Sequence, residues 1–216
     1  MKQEINPKNT SRAYAFEMWM NSPMPMVTLL KTLDVTRLVR KSRKTGMKFN
    51  MLLCWCIGKA ASGIDEFYSL PEKPRGSEQG AVMPGRLFKY DRLAVNVIVN
   101  NKAGGINSCD IPYADDLMQF NADYLSMTQS ASTSCTDISL EDAMAIGTSA
   151  LVTTELDGIV NQYSGIFNNP FLAWARYRRH WLRTTLTVSF QFHHVQMDGA
   201  QAARFLDSLQ STINKI

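Results

Sequence analysis

The sequence predicts an α/β protein in which helices cover a mixed β-sheet, and three observations carry that expectation. Segments 92–100 (RLAVNVIVN) and 183–193 (RTTLTVSFQFH) alternate apolar and polar residues with the period of a half-buried strand. Residues 49–64, and the C-terminal stretch through Ala202, Phe205, Leu206, Leu209 and Ile213, instead place their apolar residues at helical spacing. No linker or low-complexity tract separates two cores, so residues 1–216 read as one domain.

In chain order, SRAYAFEMWM (11–20) reads as a short helix broken by Ser22-Pro23 and Pro25. MVTLLKTL (26–33) is strand-like, and Asp34 or Thr36 is placed to cap the basic helix that follows. The helix over 49–64 buries Phe49, Leu52, Leu53, Cys56, Ile57, Ala60 and Ile64, so Cys56 fills space in a core. PEKPRGSEQG (71–80) is rich in turn formers and reads as an exposed loop. A strand pair follows, in which Leu93, Val95, Val97 and Val99 form one buried face. Residues 113–131 read as a helix through Leu117, Phe120, Tyr124 and Thr128. In 183–193 Leu186, Val188, Phe190 and Phe192 point inward, with Thr185, Thr187, Ser189 and Gln191 opposite.

Composition narrows the function. Apolar residues make up 45% and charged residues 19% of 216, which excludes a disordered tail, a collagen-like repeat and a disulfide scaffold. The net charge of +4 is not gathered into any run of five like charges, so no nucleic-acid partner is signalled. Cys54 and Cys56 are too close to bridge each other, and reduced thiols are expected. The histidines and cysteines do not cluster at metal-ligand spacing, so no metal is expected. MKQEINPKNT lacks a signal-peptide core and no apolar run has the length of a membrane span, so a cytoplasmic protein with no membrane partner is expected.

The chemistry concentrates after the last strand. His193 and His194 stand where an alternating strand runs into Val-Gln-Met-Asp-Gly and then a helix. Strand ends facing helix starts are where α/β proteins place their sites, and an imidazole is the natural general base for a hydroxyl. Spacing alone favours a quieter reading, in which both histidines are hydrogen-bonded strand-end residues and Asp198 is only an N-cap.

Here the chain becomes recognisable. QFHHVQMDG (191–199) resembles the active-site signature of the chloramphenicol acetyltransferase family, a Gln-apolar-His-His run followed four residues later by Asp-Gly. Ser-Arg-Ala-Tyr-Ala-Phe-Glu (11–17) resembles the family's N-terminal Arg-containing helix. Leu33-Asp34-Val35-Thr36 with Lys48-Phe49 resembles its early strand–helix stretch. Asn169-Pro170-Phe171-Leu172-Ala173-Trp174 resembles its Asn-Pro-Trp-Val-Ser-Phe segment.

The resemblance implies a two-layer α/β sandwich, assembled as a homotrimer with sites between subunits. It implies acetyl-CoA as cosubstrate and a small hydroxylated acceptor, chloramphenicol first among candidates. His194 would be the general base, its ring oriented by a backbone carbonyl. Asp198 would pair with Arg12 to hold the histidine turn against the first helix, and Trp19 would line the acceptor pocket. Arg176 and Arg178, in a cluster with Arg179 and Arg183, are candidates for the CoA phosphates.

The sequence also departs from the family. Val195, Ala200 and Gln201 replace a small residue, an aromatic and a histidine, and Ala173 stands where the aligned family segment has serine. A methyl group donates no hydrogen bond to an oxyanion. The expectation is therefore weak drug acetylation, or another donor such as a backbone N–H near Asn168–Asn169, a water or Tyr163. Two other readings stay open: a different acceptor or acyl-CoA, and a trimeric ligand-binding protein with impaired chemistry.

Overall fold

The computed structural model describes residues 1–73 and 85–216. In chain order the elements are β1 (Lys2–Ile5), α1 (Ala13–Trp19), β2 (Met26–Asp34), α2 (Thr36–Thr45), α3 (Phe49–Ser62), β3 (Ser69–Glu72), β4 (Arg86–Tyr90) and β5 (Leu93–Asn100). They continue with β6 (Ile106–Pro112), α4 (Leu117–Ser134), β7 (Met144–Leu151), β8 (Phe171–Ala175), β9 (Arg178–Arg179), β10 (Thr184–His193) and α5 (Gly199–Lys215). The large sheet has the order β2-β10-β8-β7-β5-β6, with β9 beside β10. Strand β7 runs parallel to both β5 and β8, while the remaining pairs are antiparallel. The sheet is mixed, as the sequence predicts.

One face of this sheet carries the core. Leu186, Val188, Phe190 and Phe192 of β10 are buried against the helices, and the Phe190 ring meets Phe205 of α5 at 4.7 Å. Helix α3 is buried on nearly every side, Met51, Cys54, Gly58 and Ala61 included, because it packs against α2, α4, α5 and the sheet together. Its thiols are ordinary core atoms. All four cysteines are free, and burial pushes Cys54 up to about 12.

The polar face of β10 is not solvated as its alternation suggests. Ser189 and Gln191 are buried because the segment between β7 and β8 crosses that face. The Ser189 hydroxyl donates to the Ile159 carbonyl, and Gln191 Nε2 donates to the Asn161 carbonyl at 2.7 Å. Polar residues on a covered face must find partners, and these take them from the crossing backbone.

Three local expectations shift. Pro71 and Glu72 belong to β3 rather than to a loop, and the rest of that stretch from residue 74 lies outside the described residues. Strands β1, β4 and β3 form a small antiparallel sheet, and proline is tolerated in β3 because it is an edge strand. Helix α4 starts at Leu117, not 113, because the Asp116 carboxylate accepts the Met118 N–H at 2.7 Å and sets the boundary. Before α2 the cap position is Val35, but it is Asp34 Oδ1 that accepts the Thr36 N–H at 2.9 Å.

Candidate active site

The turn after β10 is built by one arginine. Nη1 of Arg12, just before α1, donates to Asp198 Oδ2 at 3.0 Å. Its Nε donates to the Val195 carbonyl at 3.0 Å and its Nη2 to the His194 carbonyl at 2.8 Å. A planar guanidinium with fixed donor directions thus fixes three points of a five-residue turn at once. Val195, the bulkier residue at a position small in the family, is fully buried with Met20 and Leu87, and Phe16 and Trp19 pack on that cluster. It presses α1 onto the turn.

Trp19 completes the clamp. Its indole lies flat on the His194 imidazole, with centroids 4.5 Å apart and planes 8° from parallel. The His194 N–H donates to the Pro25 carbonyl at 2.8 Å, which ties the turn to the start of β2. The expected carbonyl partner of the ring is not seen: among the described residues, the buried Nδ1 of His194 has no hydrogen bond. The flat stack and the tethered backbone orient the ring instead. Nε2 of the half-buried His194 also makes no side-chain hydrogen bond among the described residues and is left as the nitrogen open to an incoming hydroxyl.

His193 is a different kind of residue. Its side chain is fully buried and Nδ1 accepts the Val195 N–H at 3.1 Å. Burial, with smaller contributions from Lys73 and His194, lowers its pKa to about 3, so it stays neutral at physiological pH. Asp198 is held charged. Burial alone would raise its carboxyl, but the Arg12 hydrogen bond and charge, with the Ala200 N–H, outweigh it and hold the pKa below the ordinary carboxylate range.

Asp198 also starts α5. Its carboxylate accepts the Ala200 N–H while Gln201 Oε1 accepts the Asp198 N–H at 3.2 Å, a reciprocal capping box. Gln201, a departure from the family pattern, therefore has a structural task.

Ala173 lies in β8 between two serines in register. Its partner in β7 is Ser149 and its partner in β10 is Ser189. In-register neighbours project to the same side of a sheet, so the methyl group sits between two hydroxyls. Ser189 already donates to Ile159, whereas the half-buried Ser149 hydroxyl has no hydrogen bond among the described residues. Tyr163 donates to Asn168 Oδ1 at 2.8 Å. Sequence reasoning missed Ser149, since strand β7 carried too weak an alternation to be placed beside β8.

Two cavities flank the sheet. One of about 730 Å³ is lined by Lys48, Asn50, Tyr124, Arg176, Tyr177 and Arg179. Arg176 faces the cavity and pairs there with Glu155, another lining residue, at 3.7 Å, but Arg178 does not line it: Arg178 pairs with Asp157 at 2.8 Å and with Glu155 at 3.5 Å. Lys48 and Arg179 stand in its place. Arg183 pairs with Asp34 at 3.2 Å. The second cavity, of about 620 Å³, opens on the face crossed by the β7–β8 segment. Among the described residues, no three His, Cys, Asp or Glu side chains gather as metal ligands, and no helix is long and apolar enough to cross a membrane.

Comparison with known proteins places this geometry. Chloramphenicol acetyltransferase 3 of Escherichia coli is 24% identical over 217 residues, covering 98% of this chain and 96% of its own. Chloramphenicol acetyltransferase 2 of Escherichia coli is 26% identical over 195 residues, covering 88% and 86%. A solved chloramphenicol acetyltransferase structure superposes with a TM-score of 0.79 at 18% identity, over 99% of this chain and 100% of that one. The chloramphenicol acetyltransferase family profile matches residues 3–210. The chain accordingly belongs to the chloramphenicol acetyltransferase family and is an acyltransferase.

Proposed function

We propose that residues 1–216 form one acyltransferase domain that moves acetyl from acetyl-CoA to a hydroxyl of a small molecule, with His194 as general base. The observation that carries this reading is the clamp on His194: a ring stacked on Trp19, a backbone held by Arg12 and Pro25, and one nitrogen left open. Nε2 takes the acceptor's hydroxyl proton as the oxygen attacks the thioester carbonyl, and returns it to the departing CoA sulfur. The imidazole ends neutral, with an ester and a free thiol as products.

The oxyanion formed on attack needs a donor. The free Ser149 hydroxyl, in register with Ala173, is the candidate for that role, and with it the serine absent at 173 would not imply lost chemistry. This favours an enzyme over an impaired binding protein. Lys48 and Arg179, with Arg176 beside Glu155, are the cations on which CoA phosphates would rest. Trp19 serves the acceptor side and the base together.

Assembly as a homotrimer is supported by apolar exposure on the open face. Leu30 and Ile98 on the sheet, and Val160, Ile166 and Phe167 on the crossing segment, are all exposed. Four unbridged thiols favour a reducing compartment, the cytoplasm. Chloramphenicol is the first acceptor to test, and its acetylation would make the protein an antibiotic-resistance enzyme. The test is thiol release from acetyl-CoA against a panel of hydroxylated compounds. Release with no compound on the panel would remove the transferase reading, and a monomer by light scattering would remove the shared site.

A further inference from the structure

The cavity on the open face has a charged wall that acetyl transfer does not require. Asp110 of β6 lines it and is only 6% exposed. Asn96 Nδ2 donates to Asp110 Oδ1 at 2.7 Å and to Ser108 Oγ at 2.6 Å, and the Leu140 N–H donates to Asp110 Oδ2 at 2.9 Å. Among the described residues no Lys, Arg or His forms an ion pair with this carboxylate. Buried carboxylates are rarely left without a cation. A carboxylate has about four acceptor positions, and only two are filled here.

No other lining residue is charged, and the remaining walls mix apolar side chains with neutral polar ones such as Asn161, Tyr163 and Asn169. Ile98, Phe167 and Phe171 line it, as does Met26, the Cα partner of His193. Gln191, two residues before His193, lines it as well, so the cavity lies at the end of β10 that turns into His194. Gly147 forms its floor beside Phe171, where a Cβ would fall 2.5 Å from the ring. The site is shaped for a flat apolar body with one positive group on the β5–β6 side.

We propose that the acceptor is a hydroxylated molecule with an aromatic or similarly apolar body and a cationic amine, which pairs with Asp110. This rests on the acetyltransferase reading and adds the charge of the substrate. The amine keeps its proton throughout and takes no part in bond making. Asn96 and the Leu140 N–H hold the carboxylate in place, and Ser108 in turn accepts from Asn96.

The experiment uses two probes of one shape: 1-phenyl-1,3-propanediol carrying a dimethylamino group at carbon 2, and the same diol carrying isopropyl there. The tertiary amine forms no stable amide, so only the ester is read. With the whole protein at pH 7, the amine is expected to be favoured at least tenfold in kcat/KM, and calorimetric binding without acetyl-CoA should show the same order. In Asp110→Asn, which keeps one acceptor oxygen for the cap on Leu140 or Asn96, the preference should fall below threefold. Equal binding and equal transfer of the two probes, or binding of neither, would overturn the inference while leaving acetyl transfer to other acceptors intact. A binding preference without any transfer of the amine would overturn its assignment as the acceptor, and the hydroxyl panel, read separately, tests the acetyltransferase reading itself. The wild-type comparison decides the matter even if the variant does not fold.

Discussion

Arg12 and Asp198 are separated by 186 positions in sequence and by 3.0 Å in space. The pair locks the N-terminal helix to the histidine turn, and the same guanidinium holds both carbonyls between them. Because the Asp198 side chain is 41% exposed, Arg12→Ala should cost less than a fully buried pair, about 1.5–3 kcal/mol. For a chain of this size that is about 3–12 °C in melting temperature. Asp198→Asn keeps an N-cap and removes the charge. The double variant should lose less than the sum of the two single losses, and strict additivity in thermal melts would show that the groups do not act together.

Trp19 positions the base rather than reacting. Trp19→Ala should lower kcat about tenfold, the equivalent of about 1.4 kcal/mol of lost orientation. Trp19→Phe, which keeps a stacking face, should recover most of it. Equal damage in both variants, measured by steady-state turnover, would point to the indole as an acceptor contact alone.

His193 makes the fold sensitive to acid. Folded, its pKa is about 3; unfolded, it takes a proton below about 6.5. The unfolded state therefore binds the extra proton, and stability falls as pH drops from about 6.5 toward about 3. Chemical denaturation between pH 7 and about 4.5, above the range where Asp198 titrates, should show this slope, and His193→Gln should flatten it. An unchanged slope in that variant would assign the acid sensitivity elsewhere.

Ser149 and Ala173 separate two accounts of the oxyanion. If Ser149 is the donor, Ser149→Ala should lower kcat about 10²–10³-fold, and Ala173→Ser should change it less than about twofold. A tenfold gain from Ala173→Ser would mean that the alanine is a true deficit.

Much of this was legible in the sequence. The helices over 49–64 and at the C-terminus, and the strand ending at His193, follow from apolar spacing because each has a strongly one-sided or continuous apolar pattern. His194, Asp198, Arg12 and Trp19, named from the family resemblance, meet in one place. What was not legible depends on partners distant in sequence. Strand β7 (MAIGTSAL) lacks alternation because its cavity-side residues Ala145 and Gly147 are small rather than polar, so Ser149 was invisible. Arg178 looked equivalent to Arg176; both reach Glu155, but Arg178 also pairs with Asp157 and lies off the cavity that Arg176 lines. Nothing in the sequence singles out Asp110, and only the fold buries it against Asn96 and Leu140.

The most direct measurement is the turnover of His194→Gln with saturating acetyl-CoA and an acceptor that the wild type uses. A general base contributes about 10²–10⁴-fold, so kcat should fall by that factor, with the KM for acetyl-CoA within about threefold and melting unchanged within a few degrees. His193→Gln, where it folds, should keep most of its turnover. A His194→Gln protein that retained more than about a tenth of wild-type kcat would contradict the assignment of His194 as the base.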